Sequence, residues 1–177
     1  MVIYVTIILN FVIFIITLFN KNFMLENFAL FNGSKAYTFF TYSFLHSDFQ
    51  HLIMNMAMLF MLGQLLKNYN QLIIAIIYVS GAIISAILYY FYKYYINDLF
   101  LLVGASGAIC AIFGFASVVF RQVGFLIALL VGNIISIIFF SNIAWQAHII
   151  GFIYGCLCAY FIKLNYNTIL FVFKKRR

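Results

Sequence analysis

Six polar side chains that can donate, accept or transfer protons interrupt the long apolar runs of this 177-residue chain. They are His46, His51, Asn55, Ser106, Asn133 and His148. A polar group inside an apolar segment is costly to bury unless a partner satisfies it. A serine hydroxyl with a histidine as its base is a recurrent pair for nucleophilic catalysis. These six residues are therefore the candidates for a catalytic or binding role in this chain.

The first motif contains His46, His51 and Asn55. His51 and Asn55 are four residues apart, so on a helix they lie on the same face and can act on one ligand. A second interpretation is that the two side chains only hydrogen-bond to neighbouring helices. For this motif alone, both interpretations stay open.

The second motif is Gly104-Ala105-Ser106-Gly107, at the predicted start of a helix. Gly104 allows a tight turn and a close approach of the backbone to a ligand. Ser106 then lies near a helix N-terminus, where free amides and the helix dipole favour negative charge. Both features suit a nucleophile that faces an oxyanion. Taken alone, however, the motif favours helix packing through small residues over a nucleophile.

The third motif surrounds His148. Small residues recur every four positions around it, at Ala147, Gly151, Gly155 and Ala159. Such a stripe lets a neighbouring helix approach closely. His148 lies beside the stripe, so we expect it to contact whichever helix packs there.

Composition decides which elements must position these residues. The chain is 67% hydrophobic, 21% aromatic and only 7% charged, whereas a soluble domain is roughly 25% charged. A soluble globular domain and a disordered chain are both excluded, because the first needs a polar surface and the second needs low hydrophobicity. The chain is therefore predicted to be an all-α integral membrane protein.

Six membrane-spanning helices account for the length, since each needs about 20 apolar residues. No internal repeat or second domain is apparent, so residues 1–177 are predicted to form a single six-span domain. The predicted spans are residues 2–19, 49–66, 71–94, 106–120, 123–140 and 145–163. Asn20–Tyr37 mixes polar and apolar residues and is expected to be a structured loop at the membrane interface.

Basic residues predict the orientation. With both termini on the cytoplasmic side, seven basic residues lie inside and three outside, as the positive-inside rule prefers. The inside set is Lys67, Arg121, Lys163, Lys174, Lys175, Arg176 and Arg177, and the outside set is Lys21, Lys35 and Lys93. The net charge of +7 thus reflects topology and anionic lipid, with no nucleic-acid partner expected.

The depth of Ser106 follows from helix length. Ser106 to Val119 extends about 21 Å at 1.5 Å per residue, which is less than the roughly 30 Å hydrocarbon core. If this helix ends at the inner face near Arg121, Ser106 lies below the outer surface. Hydrolysis there requires an aqueous cavity, which non-helical backbone can line.

Together, the three motifs resemble those of the rhomboid family of intramembrane serine proteases, and the resemblance extends over nearly the whole chain. The matching patterns are His46-x4-His51-x3-Asn55, Gly104-x-Ser106-Gly107 and Ala147-His148-x2-Gly151-x3-Gly155. The resemblance implies a six-helix bundle and an endopeptidase that cleaves transmembrane segments of other membrane proteins. It implies no cofactor and no metal, and the spacing of Cys110, Cys156 and Cys158 gives neither a zinc site nor a disulfide framework.

The resemblance also implies roles for individual residues. Ser106 would be the nucleophile and His148 its general base, without a carboxylate as third member. His51, Asn55 and the backbone amide of Ser106 would stabilise the oxyanion. Gly104 and Gly107 would serve the turn and the approach of substrate, and His46 would be structural.

Three positions depart from the family pattern. Tyr37-Thr38 stands where a Trp-Arg pair is frequent, and Gly63 is followed by Gln64 where an acidic residue is frequent. Cys110 stands one turn after Ser106, where an aromatic ring often stacks on the base histidine. These departures bear on the rigidity of the first loop, on the stability of the protein and on how the His148 imidazole is held.

Two other functions fit parts of the sequence. One is a catalytically inactive rhomboid-like protein that binds membrane clients, although such proteins generally lack the serine or the histidine. The other is a haem-binding electron carrier with His51 and His148 as axial ligands, which leaves the Gly-x-Ser-Gly motif unexplained.

Overall fold

The computed structural model describes residues 2–139 and 143–174. Within these ranges the chain forms eight α-helices, two short strands and a 3₁₀ turn at Tyr42–Phe44. The other elements are α1 Val2–Phe19, α2 Lys21–Phe28, β1 Leu30–Phe31, α3 Thr38–Thr41, α4 Phe49–Leu65, α5 Gln71–Tyr95, β2 Leu101–Leu102, α6 Ser106–Phe120, α7 Gly124–Phe139 and α8 Trp145–Lys174.

Three helices are long and apolar enough to cross a membrane, namely α1, α5 and the Trp145–Lys163 part of α8. Three more are apolar but shorter, namely α4, α6 and the Gly124–Ile135 part of α7. The protein is thus a membrane helical bundle. That all six helices cross the membrane stays a prediction, as does the orientation of the termini.

The helices begin close to where the sequence predicts them. The first five predicted spans agree with α1, α4, α5, α6 and α7 to within one residue at their described ends, whereas α8 continues past residue 163 to Lys174. The predicted end of the fifth span at Phe140 lies outside the described residues.

Polar side chains cap several helices. Asp48 Oδ1 accepts a hydrogen bond of 2.8 Å from the His51 amide at the start of α4, and Asn70 Oδ1 accepts one of 2.9 Å from the Leu72 amide at the start of α5. Each cap satisfies an amide that has no partner within its own helix. Local sequence therefore explains where these helices start.

The centre of the bundle is α6, which packs against α4, α5 and α8. Its inward side chains are small, and Ala108, Ala111 and Ala116 have no exposed surface. Small side chains let the backbones of neighbouring helices come close, which is the usual way helices associate where lipid removes the hydrophobic driving force.

The small-residue stripe of α8 packs directly on α6. A Cβ atom added at Gly151 would collide with the carbonyl oxygen of Gly107, and one added at Gly155 would collide with that of Ala111. Glycine is therefore the residue that this α6–α8 contact requires at both positions of α8.

The first loop is structured, and it holds the loop that precedes α6. β1 pairs antiparallel with β2, with Leu30 opposite Leu102 and Phe31 opposite Leu101. This two-stranded ladder is an addition to the all-α architecture that the composition predicts, because pairing between two separated loops leaves no periodic signal in either.

Thr38 stabilises the same loop. Its buried Oγ1 donates to the Lys35 carbonyl at 2.6 Å and lies 2.8 Å from Ser34 Oγ. At Tyr37-Thr38, where the sequence departs from the family pattern, local hydrogen bonds thus stabilise the turn.

Candidate active site

Ser106 is the first residue of α6, and the turn before it depends on Gly104. Gly104 has φ +117°, a conformation that residues with a Cβ rarely adopt. Its amide donates a 3.0 Å hydrogen bond to the Tyr42 carbonyl. The 3₁₀ turn at Tyr42–Phe44 therefore anchors the backbone that presents the Ser106 hydroxyl and amide at the helix N-terminus.

His148 reaches Ser106 from the first turn of α8. Its Nε2 lies 2.8 Å from Ser106 Oγ, within the range for proton transfer between a nucleophile and a general base. The close contact between Gly151 and Gly107 brings the two helices together one turn away. Ala147, next to His148, is buried in a cluster with Leu30, Tyr42, Ala86, Tyr89 and Leu102.

Asn133 of α7 contacts the other side of the same imidazole. Its Oδ1 lies 2.7 Å from His148 Nδ1. An amide oxygen accepts and does not donate, so Nδ1 carries the proton in this arrangement and Nε2 is left free to accept from Ser106. Ser106, His148 and Asn133 thus form a continuous hydrogen-bonded chain across α6, α8 and α7.

His51 lies against the turn that precedes Ser106. A Cβ atom at Gly104 would stand 2.7 Å from His51 Cε1 and 2.8 Å from Nε2. On the other side of the ring, Nδ1 lies 3.2 Å from Ser47 Oγ. The contact with Gly104 brings the Nε2 edge of His51 to the backbone beside Ser106.

Asp48 holds the beginning of α4 in this position. Two hydrogen bonds lower the pKa of Asp48 below its ordinary value. The larger effect comes from the backbone N–H of His51, and the next from the Ser47 hydroxyl, which donates to Oδ2 at 2.8 Å. The carboxylate is therefore stabilised in its charged form, which is also the form that a helix N-terminus favours.

Asn55 is buried one turn after His51. Its Nδ2 donates one hydrogen bond of 3.0 Å to the His51 carbonyl within α4. A side-chain amide has two N–H donors, so the second stays available to a ligand. The bond to the helix fixes the direction in which that second donor points.

His46 is buried, with 1% of its surface exposed. Its ring packs edge-on against His51, with 5.0 Å between centroids. Burial, assisted by His51, lowers the pKa of His46 to about 3. His46 is therefore neutral at ordinary pH and supports the His51 ring.

Cys110, one turn after Ser106, is a half-buried free thiol. Within the described part of the chain, no aromatic ring stacks on His148. The neighbour that holds the imidazole in this structure is Asn133. In the sequence Asn133 stands out as a polar group in an apolar span but has no evident role, because its spacing from His148 carries no information about contact.

These observations define a class of protein, a membrane helical bundle with a hydrogen-bonded serine and histidine on two packed helices. The Rhomboid domain matches residues 33–165 of the chain, which include all six polar residues of the site. The chain therefore belongs to the rhomboid family, as its motifs indicated, and it is a multi-pass integral membrane protein. A search of the curated proteins finds no match.

Proposed function

We propose that this protein is an intramembrane serine endopeptidase that cleaves transmembrane segments of other membrane proteins. The observation that carries this function is the 2.8 Å contact between Ser106 Oγ and His148 Nε2. A structural serine inside a membrane helix satisfies its hydroxyl with the carbonyl one turn back. Ser106 has no such carbonyl in its helix, because it is the first residue of α6.

In the first step, Ser106 Oγ attacks the scissile carbonyl carbon while its proton passes to His148 Nε2. The carbonyl oxygen becomes an oxyanion in the tetrahedral intermediate. Collapse of that intermediate breaks the C–N bond, and His148 Nε2–H donates its proton to the leaving amine. Water, deprotonated by His148, then hydrolyses the acyl-enzyme and releases Ser106.

Donors around the turn would stabilise the oxyanion. The Ser106 amide lies in the first turn of α6, where amides lack acceptors within their own helix, Asn55 has a second N–H, and His51 presents its Nε2 edge beside Gly104. For His51 to donate, Nε2 must carry a proton. Donors fixed in advance favour the transition state, because no reorganisation is needed when the charge develops.

The membrane topology proposed for this function has six spans, both termini on the cytoplasmic side and Ser106 below the outer surface of the membrane. The 15 residues of α6 support it, because they extend about 22 Å and the hydrocarbon core is roughly 30 Å thick. If the protein is bacterial, the membrane would be the cell membrane.

A substrate helix would approach laterally, between α4 and α7. α7 packs on α6 and α8, and most of its described side chains are exposed. The substrate must unwind locally at the cleavage point, because a helical peptide bond is shielded from attack. We therefore expect small or helix-destabilising residues there.

Labelling with a fluorophosphonate, which reacts with activated serines, tests this function. We expect labelling of the intact protein and none of Ser106→Ala. Ser117→Ala is the matched control, because Ser117 lies at the other end of the same helix and bonds there to the Gln122 carbonyl. Absence of labelling in a folded wild-type protein would favour the inactive, client-binding alternative.

A further inference from the structure

We propose that Asn133 is a positioning residue for the general base: it holds His148 in the tautomer that can accept the Ser106 proton. This role rests on the proposed protease activity. It makes the hydrogen-bonded unit a serine, a histidine and an asparagine contributed by three helices.

The geometry at Asn133 is that of a third member of such a unit. Oδ1 lies 2.7 Å from His148 Nδ1, and His148 Nε2 lies 2.8 Å from Ser106 Oγ. The nitrogen that is protonated in a neutral imidazole is set by the hydrogen bond that the other nitrogen makes. An acceptor at Nδ1 therefore leaves a lone pair on Nε2, as a general base needs.

The surroundings of Asn133 show that packing alone does not require an amide. Among the described side chains of α7, Leu129 and Asn133 are the buried ones, each 7% exposed, and they lie four residues apart on one face. An apolar side chain of the same size would serve that contact. Within the described residues Asn133 Nδ2 has no hydrogen-bond partner, so the polar interaction of this side chain is the bond to His148.

An amide also suits the depth of the site. A carboxylate in this position would orient the imidazole more strongly, but a charged side chain within a membrane is costly. Asn133 provides a neutral acceptor and avoids that cost. It does so in a chain where Cys110, one turn after Ser106, offers no ring to stack on the imidazole.

The test compares Asn133→Leu, which keeps size and removes the acceptor, with wild type. Because Asn133 acts through its bond to His148 Nδ1, we expect kcat to fall at least about tenfold, by analogy with loss of the orienting residue in serine proteases, and KM to stay unchanged. Asn133→Asp keeps an acceptor oxygen in the same place and should restore most of the rate.

Nuclear magnetic resonance of protein labelled with ¹⁵N-histidine gives a readout that a merely structural role would not move. The His148 signals, assigned by their loss in His148→Ala, should show the Nδ1–H tautomer in wild type and in Asn133→Asp. In Asn133→Leu we expect a shift towards the Nε2–H tautomer. Monodispersity in detergent shows that each variant is folded, and Asn133→Ala serves if Asn133→Leu is not.

Leu129→Ala is the control, because it weakens the packing of α7 and leaves the amide in place. Its tautomer should match wild type. The role is overturned if Asn133→Leu keeps the wild-type tautomer and a rate within twofold of wild type. It is also overturned if Asn133→Leu and Leu129→Ala lose the same amount of rate and neither changes the tautomer. If the wild-type protein fails to label with fluorophosphonate while Asn133→Leu still loses the Nδ1–H tautomer, only the protease function is rejected.

Discussion

Gly151 of α8 stands directly against the carbonyl oxygen of Gly107 in α6, with no room for a side chain between the two backbones. Ser106 precedes Gly107, and His148 lies one helical turn before Gly151. The contact therefore sets the separation of the two helices where the hydroxyl and the imidazole meet at 2.8 Å. Helices with larger side chains at their contact are usually 8–10 Å apart.

Gly151→Leu should force α6 and α8 apart beside the site. A displacement of about 1 Å can cost around 10²-fold in rate, so we expect at least that loss in cleavage of a transmembrane substrate while the protein stays inserted and monodisperse. Gly124→Leu at the start of α7 is the matched control, because an added Cβ there meets no atom within 4 Å. Cleavage by Gly151→Leu within a few-fold of wild type would show that this contact does not govern the site.

Ser106→Ala and His148→Ala should each abolish cleavage, because each removes one half of the proton-transfer pair. Loss of such a residue in serine proteases costs several orders of magnitude, about 10⁶ in one well-studied case. Both proteins should still insert and elute as folded species, since neither side chain fills the apolar core. Near wild-type cleavage by either variant would eliminate the proposed mechanism.

Asn55→Ala should lower the cleavage rate by about 10²–10³-fold, the usual cost of one oxyanion donor. Labelling of Ser106 should persist, because the nucleophile and its base are untouched. Met54→Ala, on the exposed face of the same helix, provides the control and should be close to wild type. Unchanged turnover in Asn55→Ala would mean that the amide serves only its bond to the His51 carbonyl.

Gly104→Ala should lose both stability and activity, because the new Cβ meets the His51 ring in addition to the strain of φ +117°. Gly33 separates the two effects, since it has φ +90° but open space around it. Gly33→Ala should cost about 1–2 kcal/mol of stability from backbone strain and keep its activity. Thermal unfolding and cleavage assays of both variants make the comparison, and equal behaviour would argue against a role for the His51 contact.

Asp48 should give the protein a pH-dependent stability. Its pKa in the folded state is lowered, first by the His51 amide and then by Ser47, from an ordinary value of 3.8. The charged carboxylate therefore stabilises the folded state above about pH 3.8, and this contribution is lost as the pH falls through the folded-state pKa. Thermal unfolding of wild type and Asp48→Asn should converge on acidification, because asparagine caps the helix without titrating. Parallel curves would contradict the expectation.

Much of this molecule could be predicted from its sequence by local rules. The apolar runs predict the helices, because burial of side chains in lipid depends on composition over a single segment. A helix cap could be expected at Ser47 or Asp48, and a close-packing stripe at Ala147, Gly151, Gly155 and Ala159, because both signals lie within one short stretch of sequence. The rhomboid motifs are equally local, and the Rhomboid domain match confirms the family that they indicate.

Only the tertiary structure decides the contacts between distant segments. The pairing of Leu30 with Leu102, the His51 ring against Gly104 and the bond from Asn133 to His148 each join residues from different elements. No periodicity relates such residues, because their distance depends on how whole helices pack. The sequence could therefore name His148 as a base, but only the packing of α7 against α8 shows which side chain holds its imidazole.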